Sequence, residues 1–206
     1  MIVNPEIERY MDGLLPPRDE VLAEMERAAA RRKIPIIGPA VGRVLSQLVM
    51  ISRARRIFEL GSAIGYSTIW LARAAGPDAE VHYSDASEKN AREARGYFER
   101  AGVASAIHIH VGDAISILRE TPGNFDFIFN DVDKEGYLSV LETVPSRLKP
   151  GGIFVTDNTL WHERVLMPKE PSDKAVVEFN RKLYGSARFF TTLLPIRDGL
   201  SVGVRL

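Results

Sequence analysis

The chain has 206 residues, 45% of them hydrophobic and 26% charged, with 27 Lys+Arg against 27 Asp+Glu. That size suits one α/β domain with a full core, and the balanced charge gives no general attraction to nucleic acid or to an anionic membrane. There is no cysteine, which excludes disulfides, thiolate metal sites and cysteine nucleophiles. The N-terminus lacks the charged, apolar, small-residue order of a signal peptide, and no apolar run approaches the ~20 residues of a membrane span, so the expected location is the cytoplasm. Arg31-Arg32-Lys33 comes closest to a basic patch, but it reads better as the positive end of a helix.

Residues 1–53 read as helical. Pro16-Pro17 is expected to open a helix carrying Val21, Leu22, Met25, Ala28 and Ala29 at helical spacing. Pro35 breaks it, and Pro39 opens another with Val41, Val44, Leu45, Leu48 and Val49 on one stripe. From Arg55 short apolar runs alternate with amphipathic stretches. Strands are expected at 56–60, 80–84, 107–111, 125–129 and 153–156, with helices following each of the first four. The fourth strand is apolar except for Asp126, and the helix over 134–148 contains Pro145. Such alternation implies right-handed crossovers and a parallel sheet, and near-continuous apolar runs suit strands covered on both faces. A loop rich in proline and charge runs from Asn158 to Pro171, a helix covers 173–184, and two last strands flank Arg197-Asp198-Gly199 as a hairpin. One domain is expected over 1–206, with helices to residue 53 and the sheet core from 54.

In a doubly wound sheet the ligands bind beyond the carboxyl ends of the strands. The first such end reads Glu59-Leu60-Gly61-Ser62-Ala63-Ile64-Gly65-Tyr66-Ser67. Its glycines allow a tight turn and close approach to a ligand. The GxGxxG spacing is absent, and the Glu59 carboxylate would oppose phosphates, so a ligand with an amino group and a sulfonium fits better than a pyrophosphate. A plain strand-to-helix turn is the alternative. Asp85 ends the second strand, where an acid ~20 residues beyond a glycine loop accepts hydrogen bonds from ribose hydroxyls; it can equally start the next helix. Asp113, after the third strand, is a good helix cap and can also meet an adenine amino group, with the Ala114 N–H beside it.

The fourth and fifth strands end in Asn130-Asp131-Val132-Asp133-Lys134 and Thr156-Asp157-Asn158. Asp131, Asp157 and Asn158 can converge on one point, and carboxylates so placed repel unless a cation lies between them. An all-oxygen set suits a hard cation such as Mg²⁺; caps and turn residues are the alternative. Lys134 beside them is either a surface residue or a general base for a hydroxyl. His82, His108 and His110 lie within strands and read as structural, whereas His162 follows Trp161 in the loop.

Taken together these segments resemble the cation-dependent O-methyltransferases of the catechol and caffeoyl-CoA type, from about Pro35 to residue 206. Glu59-x-Gly61-x-x-x-Gly65-Tyr66-Ser67 looks like the family's cofactor loop and Asp131-Val132-Asp133-Lys134 like its DxDK motif. Asp157-Asn158-Thr159-Leu160-Trp161 looks like its DN motif, and Asp198-Gly199-Leu200 like its DGL. The resemblance implies a Rossmann-like class I methyltransferase fold: a seven-stranded, mostly parallel sheet with the last strand antiparallel, helices on both faces and helices before it. It implies S-adenosylmethionine as cofactor, held by Glu59, Gly61, Ser62 and Ser67 at the methionine end, Asp85 at the ribose, and Asp113 and Ala114 at the adenine. Ile37, Asp131 and Asp133 adjoin the cofactor. Asp131, Asp157 and Asn158 match the metal ligands and Lys134 the proposed base. Trp161 and His162 match positions at a phenolic substrate, and a homodimer is expected.

The chain departs from the pattern in four places. Asn130 stands where an apolar residue is usual, and His162 where plant enzymes carry Asn. Gly38-Pro39-Ala40-Val41 lacks a common acid, and the N-terminal extension with a substrate-contacting Lys is missing. All four bear on the acceptor, so caffeoyl-CoA is not carried over. Against a nicotinamide oxidoreductase stand Glu59 and the missing third glycine. Against an N-methyltransferase of bases stands Asn-Asp-Val-Asp where Asn/Asp-Pro-Pro-Tyr is usual, and against a non-catalytic cofactor binder stands the complete metal set with Lys134.

Overall fold

The computed structural model describes residues 4–206. Three helices come first, α1 (Pro5–Gly13), α2 (Glu20–Arg32) and α3 (Gly38–Ser52). The alternating region follows as β1 (Arg56–Leu60), α4 (Tyr66–Ala75), β2 (Glu80–Asp85), α5 (Glu88–Arg100), β3 (Ile107–Val111), α6 (Ala114–Glu120), β4 (Phe125–Asn130), α7 (Tyr137–Arg147) and β5 (Leu148–Thr156). Last come α8 (Pro171–Tyr184), β6 (Phe189–Leu194) and β7 (Leu200–Arg205). The seven strands form one sheet in the order β3-β2-β1-β4-β5-β7-β6. β1 to β5 pair in parallel, while β7 runs antiparallel to both β5 and β6. This is the class I methyltransferase fold expected from the motifs. Strand order reverses between β1 and β4, so their carboxyl ends open a crevice there.

Period-two alternation assigns the strand side chains to two cores. Ile57, Phe127, Phe129 and Val155 face α2 to α5. Phe58, Leu60, Ile128 and Phe154 face α6, α7 and α8. Phe125 joins the second core although Phe127 belongs to the first, because the β4–β5 register shifts between them. Asp126 at that shift accepts from the Arg55 and Arg56 N–H groups at 3.0 and 2.8 Å and pairs with Lys149 at 2.6 Å. The one charge in an apolar strand thus ties the starts of β1 and β5 to β4.

Several boundaries differ from expectation. α2 begins at Glu20, not at Pro16-Pro17, because the Asp19 carboxylate caps it, accepting from Val21 and Leu22 N–H at 3.0 and 3.3 Å. The basic run does close α2, with Lys33 in the left-handed region at φ 55°. The helix after β4 is preceded by a 3-10 turn over Lys134–Gly136, and β5 starts at Leu148, five residues before the expected 153. The stretch after Asn158 is not plain loop. It holds a 3-10 segment, Trp161–Leu166, kinked at His162 and Glu163, whose φ values are 52° and 64°. Among the described residues no helix is long and apolar enough to cross a membrane.

Candidate active site

The carboxyl ends of β1, β2, β4 and β5 open into a cavity of about 1620 Å³. Glu59, on the last turn of β1 before the glycine loop, is fully buried. Its two carboxylate oxygens accept from the Ser67 and Thr68 hydroxyls at the start of α4. Burial pushes its pKa up to about 7, against the pull of those hydroxyls. Ser67 was expected at the cofactor's methionine end; here its hydroxyl is bonded to Glu59, and Thr68, not singled out in the sequence, adds the second hydroxyl. The Gly61 and Ser62 N–H groups both donate to the Ser84 carbonyl, at 3.1 and 3.0 Å, and the Ser62 carbonyl accepts from Gly65 at 2.8 Å. Of that loop Gly61 and Ala63 line the cavity. Gly61 is also where β1 and β4 meet. Its φ is 82°, and a Cβ there would lie 2.5 Å from the Asp131 carbonyl oxygen.

Asp85 closes the far side of the loop. One carboxylate oxygen accepts from the Ala63 N–H at 2.9 Å, the other from Ser87 N–H at 2.8 Å and Asn90 Nδ2 at 3.1 Å. The cap of α5 is Ser87, so Asp85 links the two loops and does not itself start the helix. Asp113 caps α6 by accepting from Ser116 N–H at 2.8 Å, and the Ser116 hydroxyl and N–H hold its carboxyl below the usual range. Ala114 lies beside it in the cavity wall. Ile37 is buried just before α3, and Asp133 lines the cavity from an exposed position.

The acids at the ends of β4 and β5 do converge. Lys134 Nζ lies 2.7 Å from Asn158 Oδ1 and 3.7 Å from Asp131 Oδ1. It also donates to the Val132 carbonyl at 3.5 Å and sits 5.1 Å from the ring centroids of both Tyr137 and Trp161, so the largely buried Nζ is held by three oxygens and two aromatic faces. Burial, and then the nearby Asp157, raise the Asp131 pKa well above the usual carboxylate range. Burial likewise pushes Asp157 up to about 6, opposed by the Asn158 N–H and by the charges of Arg197 and Lys134. Asp157 Oδ1 is buried with no hydrogen-bond partner, while its backbone carbonyl accepts from the Tyr137 hydroxyl at 2.6 Å. Asn158 takes a left-handed φ of 53°. Among the described residues no three His, Cys, Asp or Glu side chains gather as a metal-ligand group; the set here is two carboxylates and an amide.

Asn130, unusual before such a motif, is fully buried. Its amide donates to Thr156 Oγ1 at 3.4 Å, and its Oδ1 is unpartnered. Trp161 is anchored by Nε1 to Asp173 at 3.0 Å. The His162 ring stacks on the indole, 5.5 Å between centroids, and the His162 N–H donates to Asp198. The hairpin turn carrying Asp198 is bound to the loop after β5, since Thr159 and Leu160 N–H donate to Gly199 and Asp198 carbonyls at 3.0 and 2.8 Å. Arg197 in that turn also lines the cavity. Sequence reasoning passed over it, because its partner is the Ile36 carbonyl, 161 residues away and 2.9 Å distant.

A methyltransferase fold with an acid-ended first strand, a ribose-type acid after the second, and an oxygen cluster with a lysine at the fourth and fifth defines the class. The profile of the O-methyltransferase family matches residues 16–206. The chain is 31% identical over 211 residues to a catechol O-methyltransferase of Niastella koreensis, covering 96% of each chain. It is 29% identical over 224 residues to caffeoyl-CoA O-methyltransferase 1 of Arabidopsis thaliana, covering 100% of this chain and 86% of that one. It superimposes on the O-methyltransferase of Bacillus cereus in complex with SAH with a TM-score of 0.88, at 30% identity over 98% of this chain and 97% of that one. The protein belongs to the family of S-adenosylmethionine-dependent O-methyltransferases.

Proposed function

We propose that this protein methylates one hydroxyl of a small catechol-like or phenolic acceptor and needs a divalent cation, Mg²⁺, to do so. The observation that carries the reading is the convergence of Asp131, Asn158 and Lys134 beside Asp157, whose buried Oδ1 has no protein partner. Two like charges and an orphaned oxygen around one point fit a hard cation. Asp131, Asp157 and Asn158 would hold it, and when bound it would lower the pKa of a chelated acceptor hydroxyl. The catechol O-methyltransferase of Niastella koreensis supports this acceptor class.

The SAH-bound Bacillus cereus relative supports S-adenosylmethionine as the methyl donor. Glu59 and the Gly61–Ser62 backbone, with Ser67, would take its methionine end. Asp85 receives the ribose hydroxyls, Asp113 and Ala114 border the adenine, and Ile37, Asp131 and Asp133 wall the remainder. Lys134 takes or steers the acceptor's hydroxyl proton at Nζ, which the Tyr137 and Trp161 rings keep out of bulk water. Trp161 and His162 bound the acceptor. Most of the acceleration comes from holding the two reactants in line within about 3 Å. A homodimer acting in the cytoplasm completes the reading.

The test is methyl transfer from labelled S-adenosylmethionine to a panel of catechols, with Mg²⁺ and with EDTA. Transfer that EDTA abolishes is the expected result. Equal transfer in both would remove the cation from the mechanism, and no transfer to any catechol would remove the acceptor class.

A further inference from the structure

We propose that Arg197 selects the acceptor: its guanidinium receives a carboxylate carried by a catechol-like substrate, so the preferred acceptors are dihydroxyaromatic acids. This rests on the O-methyltransferase reading above and adds the charge of the substrate to it.

Four observations lead there. Arg197 lines the same cavity as Asp157, Asn158 and Trp161. It occupies the β6–β7 turn at φ 49°, a conformation routine for glycine and costly for a residue with a Cβ. Strain of that kind persists where a side chain has a task. The guanidinium is seated and not loose: Nη1 donates to the Ile36 carbonyl at 2.9 Å. It lies over Gly38, where a Cβ would come within 2.7 Å of Nη1. Finally, no carboxylate among the described residues forms an ion pair with it: its charge acts on Asp157 through space alone, and the neighbouring Asp198 turns instead to the His162 N–H and ring.

The buried cation of the cavity, Lys134, is already committed to Asn158 and Asp131, whereas Arg197 is exposed. On the rim, Lys33 lies three residues before Ile36 and lines the cavity, and among the described residues no acid is ion-paired with it. Arg197 and Lys33 thus both line the cavity with no ion-paired acid among the described residues, and the guanidinium is fixed in direction by Ile36. A planar fork so fixed matches a carboxylate.

The experiment compares kcat/KM for 3,4-dihydroxybenzoate and for catechol, with Mg²⁺, in the wild type, Arg197→Gly and Arg197→Lys. Glycine is native to the backbone angle, so the first variant should fold. Taking the ratio of the two acceptors within each protein cancels any general loss of activity. The wild type should favour the acid by about tenfold, the worth of one partly exposed charge-assisted contact. Arg197→Gly should erase that preference through KM and not kcat, and Arg197→Lys should keep part of it. A ratio unchanged in Arg197→Gly, or a wild type that favours catechol, overturns the selection while leaving the methyltransferase reading intact. Failure of both acceptors in the wild type overturns the two together.

Discussion

Replacing Gly61 by alanine puts a methyl group where the chain has no room for one. The added Cβ would stand 2.5 Å from the Asp131 carbonyl oxygen and 2.9 Å from its carbon, and the residue would keep φ 82°. Both atoms are backbone, so no side chain can swing aside. The left-handed angle costs an L-residue about 1–2 kcal/mol, and forcing a backbone shift in a packed region costs about 1–3 kcal/mol more. The expected loss is therefore about 3 kcal/mol, which lowers Tm by roughly 6–12 °C in a chain of this size. Because Asp131 moves with the clash, S-adenosylmethionine affinity should fall as well. Gly96→Ala is the control. Gly96 lies on the exposed side of α5 with nothing within 4 Å of an added Cβ, so that change should stabilise by about 0.5–1 kcal/mol. Urea unfolding and calorimetric titration with the cofactor read both effects. A Gly61→Ala protein within about 1 kcal/mol of wild type and unaltered in cofactor affinity would refute the reasoning that the two strand ends are in contact at this point.

Lys134→Ala should lower kcat by about 10²–10⁴-fold, the usual worth of general acid–base catalysis, with cofactor affinity kept; unaltered turnover would take Lys134 out of the chemistry. Asp157→Asn removes a buried carboxylate that has an unpartnered oxygen and an acidic neighbour. Activity with Mg²⁺ should vanish while the metal-free protein melts a few degrees higher, a stability–function trade, and differential scanning with a parallel activity assay checks both halves. Glu59 links stability to pH. Its carboxyl rises from 4.5 to about 7 on folding, so the folded state binds the proton more tightly. The stabilisation is complete below pH 4.5 and is lost as pH rises through 7. At ~1.4 kcal/mol per unit the cofactor-free protein should lose about 3 kcal/mol across that window. Glu59→Gln should lack this slope in urea unfolding at pH 5 and 8, and identical slopes would show that Glu59 is ionised throughout.

The central strands were legible because they are covered on both faces and therefore write near-continuous apolar runs; Phe127-Ile128-Phe129 in β4 is such a run, whereas β3 at the sheet edge has no buried residue and alternates with histidine. The acids were legible because they stand at strand ends, where a parallel sheet collects its chemistry. What spacing could not supply was geometry made by distant segments. Asp126 interrupts β4 in the sequence, and only the fold shows it receiving the first N–H groups of β1. Pro16-Pro17 is a strong helix signal, yet Asp19 wins because its carboxylate satisfies two N–H groups of the first turn. The stretch from Trp161 to Leu166 has neither helical nor strand period; it is shaped by Asp173 and Asp198, residues that reach it from α8 and the hairpin.

The abutment of Gly61 on Asp131 divides the cavity into two walls of different character. The ends of β1, β4 and β5 form a single stiff piece in which neither loop can drift without the other. The cavity is lined as well by the segment before α3, the kinked stretch from Trp161 and the β6–β7 turn, three connections that lie outside the strand ends. Variation during evolution, or in the hands of an engineer, is therefore channelled to one side. If the proposed acceptor contacts hold, substitutions at Lys33, His162 or Arg197 should change which molecule is accepted while methyl donor and reactive oxygen keep their relative alignment, so new acceptor ranges would be reachable without rebuilding the catalytic half.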